Sequence, residues 1–281
     1  MLKQRIITAV LLLAVLIPAV WADDPLAFVL LTALMIGAAG WEWARLCAWS
    51  NWPACASGVA CALACLFFWR EGGTAQAWPW LWWAVGSAWI LMGANLLRGG
   101  MEAWLRVPAP IRWLAGMVAL FAAWVALVQA RAMGINFLFS VFVLVWGADV
   151  AAYFCGRQWG GRFVTRKLAA AISPGKTWEG ALGGLVVVMA LAFAWREWEP
   201  LRPWGAISLY GRLGEQGPIF MVVSVAFLTT MSVAGDLLES LFKRAAGVKD
   251  SSQLLPGHGG VLDRIDALLP VLPLVMLLCV R

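Results

Sequence analysis

Pro218-Ile-Phe-Met-Val-Val-Ser-Val-Ala-Phe-Leu-Thr-Thr-Met-Ser-Val-Ala-Gly-Asp-Leu-Leu238 decides the fold. A single charge, Asp236, interrupts 21 residues. A helix of about 20 apolar residues crosses the hydrocarbon layer of a membrane. Eight similar runs surround it, at roughly 6–22, 25–44, 53–69, 77–97, 112–131, 134–155, 180–196 and 265–280. They are long and carry internal Gly and Pro, not the short alternation of a membrane barrel strand. The expected fold is therefore an all-α polytopic integral membrane protein with about nine transmembrane helices.

Composition agrees. Of the 281 residues, 63% are hydrophobic and 13% charged, against about 45–50% and 25% in soluble domains. Many of the 20 tryptophans, such as Trp21, Trp49, Trp69, Trp78, Trp80, Trp113 and Trp195, close these runs. Indole rings favour the headgroup level. With the N-terminus in the cytoplasm, fifteen of the 21 Lys and Arg residues fall on the cytoplasmic side, the preferred one. Lys3 and Arg5 before an apolar run imitate a signal peptide, but Trp21 suits a cleavage site poorly, so a retained first helix is expected. The net charge of +6 is accounted for by topology and an anionic substrate or lipid surface, without nucleic acid. None of the six cysteines forms a C-x-x-C pair, and one histidine cannot build a zinc site.

The chain divides into an N-terminal membrane-helix region, 1–135, and a catalytic membrane region, 136–281, with cytoplasmic loops 156–178 and 239–264. A third long cytoplasmic connection spans 98–111. The outer connection 197–217 reads as a solvated loop. Charge concentrates at 240–266, where four cations, three carboxylates and His258 fall together. On a helix, Asp236, Ser240 and Lys243 share a face, with Glu239 beside them. A carboxylate at the membrane edge needs a partner or a metal, so Asp236 either pairs with Lys243 or Arg244 or holds an ion. The turn Pro256-Gly-His-Gly-Gly260 lets backbone N–H groups approach an anion. Asp263 and Asp266, three apart at a helix start, are either caps or, with Asp236, oxygen ligands suited to Mg²⁺. His258 is open between general base, phosphate donor and loop residue. Ala170-x4-Gly175-Lys176-Thr177 imitates a P-loop, but no strand precedes it and Pro174 removes an N–H, so it is rejected as one.

Ser240-Leu-Phe-Lys243-Arg244-x4-Lys249-Asp250-x-Ser252-x-x-Leu255-Pro256-x-His258-Gly259-Gly260-Val261-x-Asp263-Arg264-Ile265-Asp266 resembles the signature of the phosphatidate cytidylyltransferases, or CDP-diglyceride synthases. Asp149-x-x-Ala152-Tyr153-x-x-Gly156-x-x-x-Gly160 and Ile172-Ser173-Pro174-x-Lys176-Thr177-x-Glu179-Gly180 are similar to two further segments of that family. The resemblance covers roughly 146–270. It implies attack by a phosphatidic acid phosphate on the α-phosphorus of CTP, giving CDP-diacylglycerol and pyrophosphate in phospholipid biosynthesis. It also implies Mg²⁺, alone or with a second cation, a homodimer, and residence in a bacterial inner membrane with the site facing the cytoplasm.

On that resemblance Asp236, Lys243, Arg244, His258, Asp263 and Asp266 are the catalytic candidates. Asp236, Asp263 and Asp266 are the candidate metal ligands. Ser173, Lys176, Thr177, Glu179, Lys249, Asp250, Gly259, Gly260, Arg264, Asp149 and Tyr153 are the candidate substrate-binding residues, with Asp149 either in the site or paired to an arginine of the basic loop. The chemistry fits: two polyanions must be brought together, so cations and positioning matter more than a base. A CTP-dependent lipid-alcohol kinase shares the basic loops and carboxylates but would release CDP. A CDP-alcohol phosphotransferase lacks its Asp-Gly-x-x-Ala-Arg pattern here. A transporter would spread its charges through the spans.

Overall fold

The structure is a computed structural model that describes residues 2–201 and 205–280, with the side chains of 2–6 and 9 excepted. Of the orientation cations, Arg202 and Arg281 thus lie outside the described residues, as do the side chains of Lys3 and Arg5. Every apolar run is helical, in the order α1 (Leu2–Trp21), α2 (Leu26–Leu46), α3 (Asn51–Arg70), α4 (Pro79–Arg106), α5 (Ala109–Ala132), α6 (Ile135–Trp159), α7 (Trp178–Trp198), α8 (Leu209–Glu215), α9 (Pro218–Ala245), α10 (Leu262–Ile265) and α11 (Leu268–Cys279). No strand occurs among the described residues. Seven helices, α2 to α7 and α9, are long and apolar enough to cross a membrane. In α1 the apolar part is the shorter Val10–Trp21. The run at 265–280 forms only the 12 residues of α11, because Asp266 and Ala267 part it from α10.

Two connections depart from expectation. The 98–111 connection is mostly helix: α4 continues to Arg106 through a break at Gly100, whose φ is 63°. The 197–217 segment, expected as a solvated outer loop, is anchored through its described residues. Leu209, Tyr210 and Leu213 of α8 are buried. Glu199 accepts from Ser208 Oγ at 2.8 Å and Asn136 Nδ2 at 2.8 Å, and Trp195 Nε1 donates to Asn136 Oδ1 at 3.0 Å. Buried polar groups require such partners, and here they tie α6, α7 and α8 together.

Small residues set the packing that matters for the site. A Cβ on Gly180 would lie 2.7 Å from Ala152 O, and one on Gly184 2.8 Å from Ala148 O, so α6 and α7 touch backbone to backbone. A Cβ on Gly235 would lie 2.7 Å from Asp266 O, which seats α9 directly against the start of α11. That contact brings Asp236 and Asp266, thirty residues apart in sequence, to one end of the bundle.

Candidate active site

The basic loop after α6 is folded by its own polar groups. Ser173 N donates to Ala169 O at 2.8 Å and Lys176 N to Ser173 O at 3.1 Å. Thr177 caps α7 by accepting from Gly180 N at 3.1 Å, as a hydroxyl before a helix should. Glu179 Oε1 accepts from the N–H groups of Phe163 and Val164 at 3.0 and 2.9 Å. Thr177 and Glu179 therefore shape the loop. Its turn then projects Lys176 across to α9, where Nζ lies 2.5 Å from Asp236 Oδ2. Asp236 also faces Ser240 Oγ at 3.5 Å, one turn along the same helix.

Asp149, Asp236 and Asp266 repel one another across this cleft, with Lys176 and Arg264 as the cations near Asp149. Asp266 Oδ1 accepts the N–H of Ala267 at 2.7 Å. Among the described residues, no three His, Cys, Asp or Glu side chains already converge tightly enough to hold a metal ion. Their chemistry nonetheless suits a hard cation: carboxylate oxygens that repel one another, with the Lys176 ammonium 2.5 Å from Asp236.

Asp263 occupies a second cluster. Its Oδ1 lies 2.5 Å from Lys243 Nζ, and Lys243 also pairs with the buried Glu239. Its Oδ2 accepts from Gly260 N at 2.7 Å, Ser251 Oγ at 2.9 Å and Ser251 N at 3.0 Å. Burial acts to raise the Asp263 carboxyl, but Lys243 and these donors outweigh it and hold the group down to about 2. The ammonium of Lys243, a catalytic candidate and expected partner of Asp236, is held between Glu239 and Asp263 instead.

The Pro256–Gly260 turn closes through Leu255 N to Gly259 O at 2.8 Å and His258 N to Leu255 O at 2.8 Å. Gly259 sits at φ 80°, a conformation that side-chain-bearing residues avoid. Within the turn the Gly260 N–H is directed at Asp263, and just beyond it the N–H groups of Val261 and Leu262 are directed at Glu42. His258 is half-buried, and its Nδ1 has no hydrogen-bond partner among the described residues.

The fold thus gathers Asp149, Lys176, Asp236, Arg264 and Asp266 in one cleft and places Lys243, Asp263, Gly259 and Gly260 beside it. Arg244, Lys249 and Asp250 are exposed. Tyr153 is exposed and faces Arg157, whose Nη1 lies 3.4 Å from its hydroxyl.

Three elements were not anticipated as parts of the site. Glu42, Glu239 and Ser251 hold it together. Glu42 carried a readable signal, a carboxylate between two tryptophans in an apolar run. Beside Asp266 and Glu239 lies a cavity of about 430 Å³ with otherwise apolar walls, including Trp43, Trp89, Leu96, Trp104 and Phe242.

Residues 3–280 match the Cytidylyltransferase family. A phosphatidate cytidylyltransferase of Pseudomonas aeruginosa is 34% identical over 97% of this chain and 95% of its own length. One from Brucella suis is 30% identical over 98% of this chain and 92% of its own. One from Haemophilus influenzae is 49% identical over 50% of this chain and 44% of its own.

Proposed function

Since this chain belongs to the cytidylyltransferase family, we propose that it transfers the cytidylyl group of CTP to phosphatidic acid, forming CDP-diacylglycerol and releasing pyrophosphate. The observation that carries this reading is the junction of the charged cleft with the apolar cavity at Asp266 and Glu239. A lipid phosphate needs both: apolar walls for acyl chain and a charged corner for the headgroup.

A phosphate oxygen of phosphatidic acid forms the new bond to the α-phosphorus of CTP, and the bond from that phosphorus to pyrophosphate breaks. The nucleophile is already an anion, so no side chain need remove a proton. That leaves His258 outside the bond-making steps. Lys176, carried on its folded loop, offsets charge where the two polyanions meet. Arg244, Lys249 and Arg264, all exposed, meet the triphosphate. Asp236 and Asp266, with Asp149 near them, would hold Mg²⁺, alone or with a second cation; when bound it polarises the attacked phosphorus and offsets leaving-group charge. Asp263 joins that set only where Lys243 yields its Oδ1.

Nine spans, with α1 and α11 completing the seven long helices, and a cytoplasmic N-terminus belong to the same proposal. Thr8 Oγ1 donates to Pro256 O at 2.8 Å, so the start of α1 lies on the face that carries the site. That face would be cytoplasmic, where CTP is, in a bacterial inner membrane, with membrane lipids around it. A homodimer is consistent with Gly- and Ala-rich helices that pack closely.

The test uses the purified full chain in detergent with CTP, phosphatidic acid and Mg²⁺. Pyrophosphate and CDP-diacylglycerol should appear together and stop with chelator. Release of CDP with a phosphorylated lipid alcohol, or no product beyond the chelated control, overturns the reading.

A further inference from the structure

Glu42 lies on α2, in the half of the chain that carries none of the family-like motifs, and is fully buried. No lysine or arginine pairs with it among the described residues. A carboxylate buried without a counter-charge must be offset by hydrogen bonds. Here they come in a matched set from one segment. Oε1 accepts from Val261 N at 3.0 Å and Ser252 Oγ at 2.5 Å. Oε2 accepts from Leu262 N at 2.7 Å and Ser251 Oγ at 3.2 Å. Two loop hydroxyls and two N–H groups at the start of α10 therefore converge on one side chain of a distant helix.

The contacts lead onward. Ser251 Oγ also lies 2.9 Å from Asp263 Oδ2, and its single hydrogen serves one carboxylate at a time. Asp263 in turn meets Lys243 of α9. Glu42 thus bonds α2 directly to the 251–262 segment and the start of α10, and reaches Lys243 of α9 only through Ser251 and Asp263, without itself reaching Asp236 or Asp266. A plain packing role would be served by an apolar side chain. Four donors converging on two oxygens require a carboxylate, since an amide presents N–H groups where the chain presents N–H groups.

We propose that Glu42 is a positioning residue of the reaction, setting the 251–263 segment so that Asp263 and Lys243 face the cleft. The inference rests on the activity proposed above. It is tested on full-length protein with Glu42→Gln, Glu42→Asp and, as control, Glu102→Gln, an exposed residue whose ion pair is with Arg106 one turn away. For Glu42→Gln, kcat should fall at least about tenfold while KM for CTP stays within about threefold, since a charged hydrogen-bond set is lost but no substrate contact. Hydrogen exchange at the Val261 and Leu262 amides should speed up by about tenfold or more, with exchange in α3 unchanged. Glu42→Asp keeps the charge with a shorter reach and should recover part of kcat. Glu102→Gln should match wild type.

A Glu42→Gln kcat within about twofold of wild type overturns the proposal. So does a loss that merely tracks the unfolded fraction with Asp no better than Gln, or unchanged exchange at Val261 and Leu262. Wild-type protein that makes no CDP-diacylglycerol overturns the activity instead, and the exchange measurement still decides whether Glu42 clamps the segment.

Discussion

Asp236 and Asp263 look alike in sequence, but their surroundings separate them. Asp236 has one cation, Lys176, at 2.5 Å and is repelled by the charges of Asp149 and Asp266. Asp263 has both oxygens engaged by the chain itself. Lys176→Met should therefore reduce turnover at least about tenfold through lost charge compensation, with the protein still inserted, as measured by kcat in detergent. Asp263→Asn should abolish turnover and also lower the melting midpoint, because it leaves Lys243 beside a single carboxylate. The pH dependence of that second effect has a defined sign. The folded Asp263 carboxyl, at about 2, lies below its unfolded value near 3.9, so its stabilisation is present above the unfolded value and is lost as pH falls toward about 2. The difference in melting midpoint between wild type and Asp263→Asn should thus stay level from about pH 8 to 5 and shrink below about pH 4. Arg98→Ala, at an exposed residue outside the proposed site, should leave activity unchanged in the same assays.

At the scale of elements, the site depends on helices meeting without side chains between them. Gly184 on α7 leaves no room for a Cβ, since Ala148 O on α6 would be 2.8 Å away and backbone cannot rotate aside. Gly184→Val should cost about 1–3 kcal/mol, read as a lower melting midpoint in detergent. Because α6 carries Asp149 and α7 follows the Lys176 loop, kcat should fall with it. Gly235 does the same for α9 and α11. The apolar periodicity makes each helix readable. The partner of each helix is not readable, because any small-residue stripe offers the same surface to several neighbours.

For the molecule as a whole, the two halves of the chain share one site. Glu42 and Thr8 from the N-terminal half meet Val261, Leu262 and Pro256 of the C-terminal half. These contacts join the N-terminal region, 1–135, to the 239–264 loop of the region that follows it. Chelating divalent ions in the purified protein should stop product formation, and added Mg²⁺ should restore it, as followed by pyrophosphate release. Failure of Mg²⁺ to restore activity would remove the metal from the proposed chemistry.

The amino-acid sequence alone determined that the protein is helical and membrane-embedded, because long apolar runs have no other stable form in a bilayer. It also determined where the charge collects, and the motif carried the family. Only the tertiary structure decided how the charged residues divide. Close glycine contacts bring α9 onto α11 and α6 onto α7, and that placement pairs Lys176 with Asp236 while Lys243 goes to Glu239 and Asp263. Tertiary placement likewise brings Glu42 to the 251–262 segment. Hydrogen bonds spanning more than two hundred residues depend on which helix ends share a face, and no local pattern encodes that.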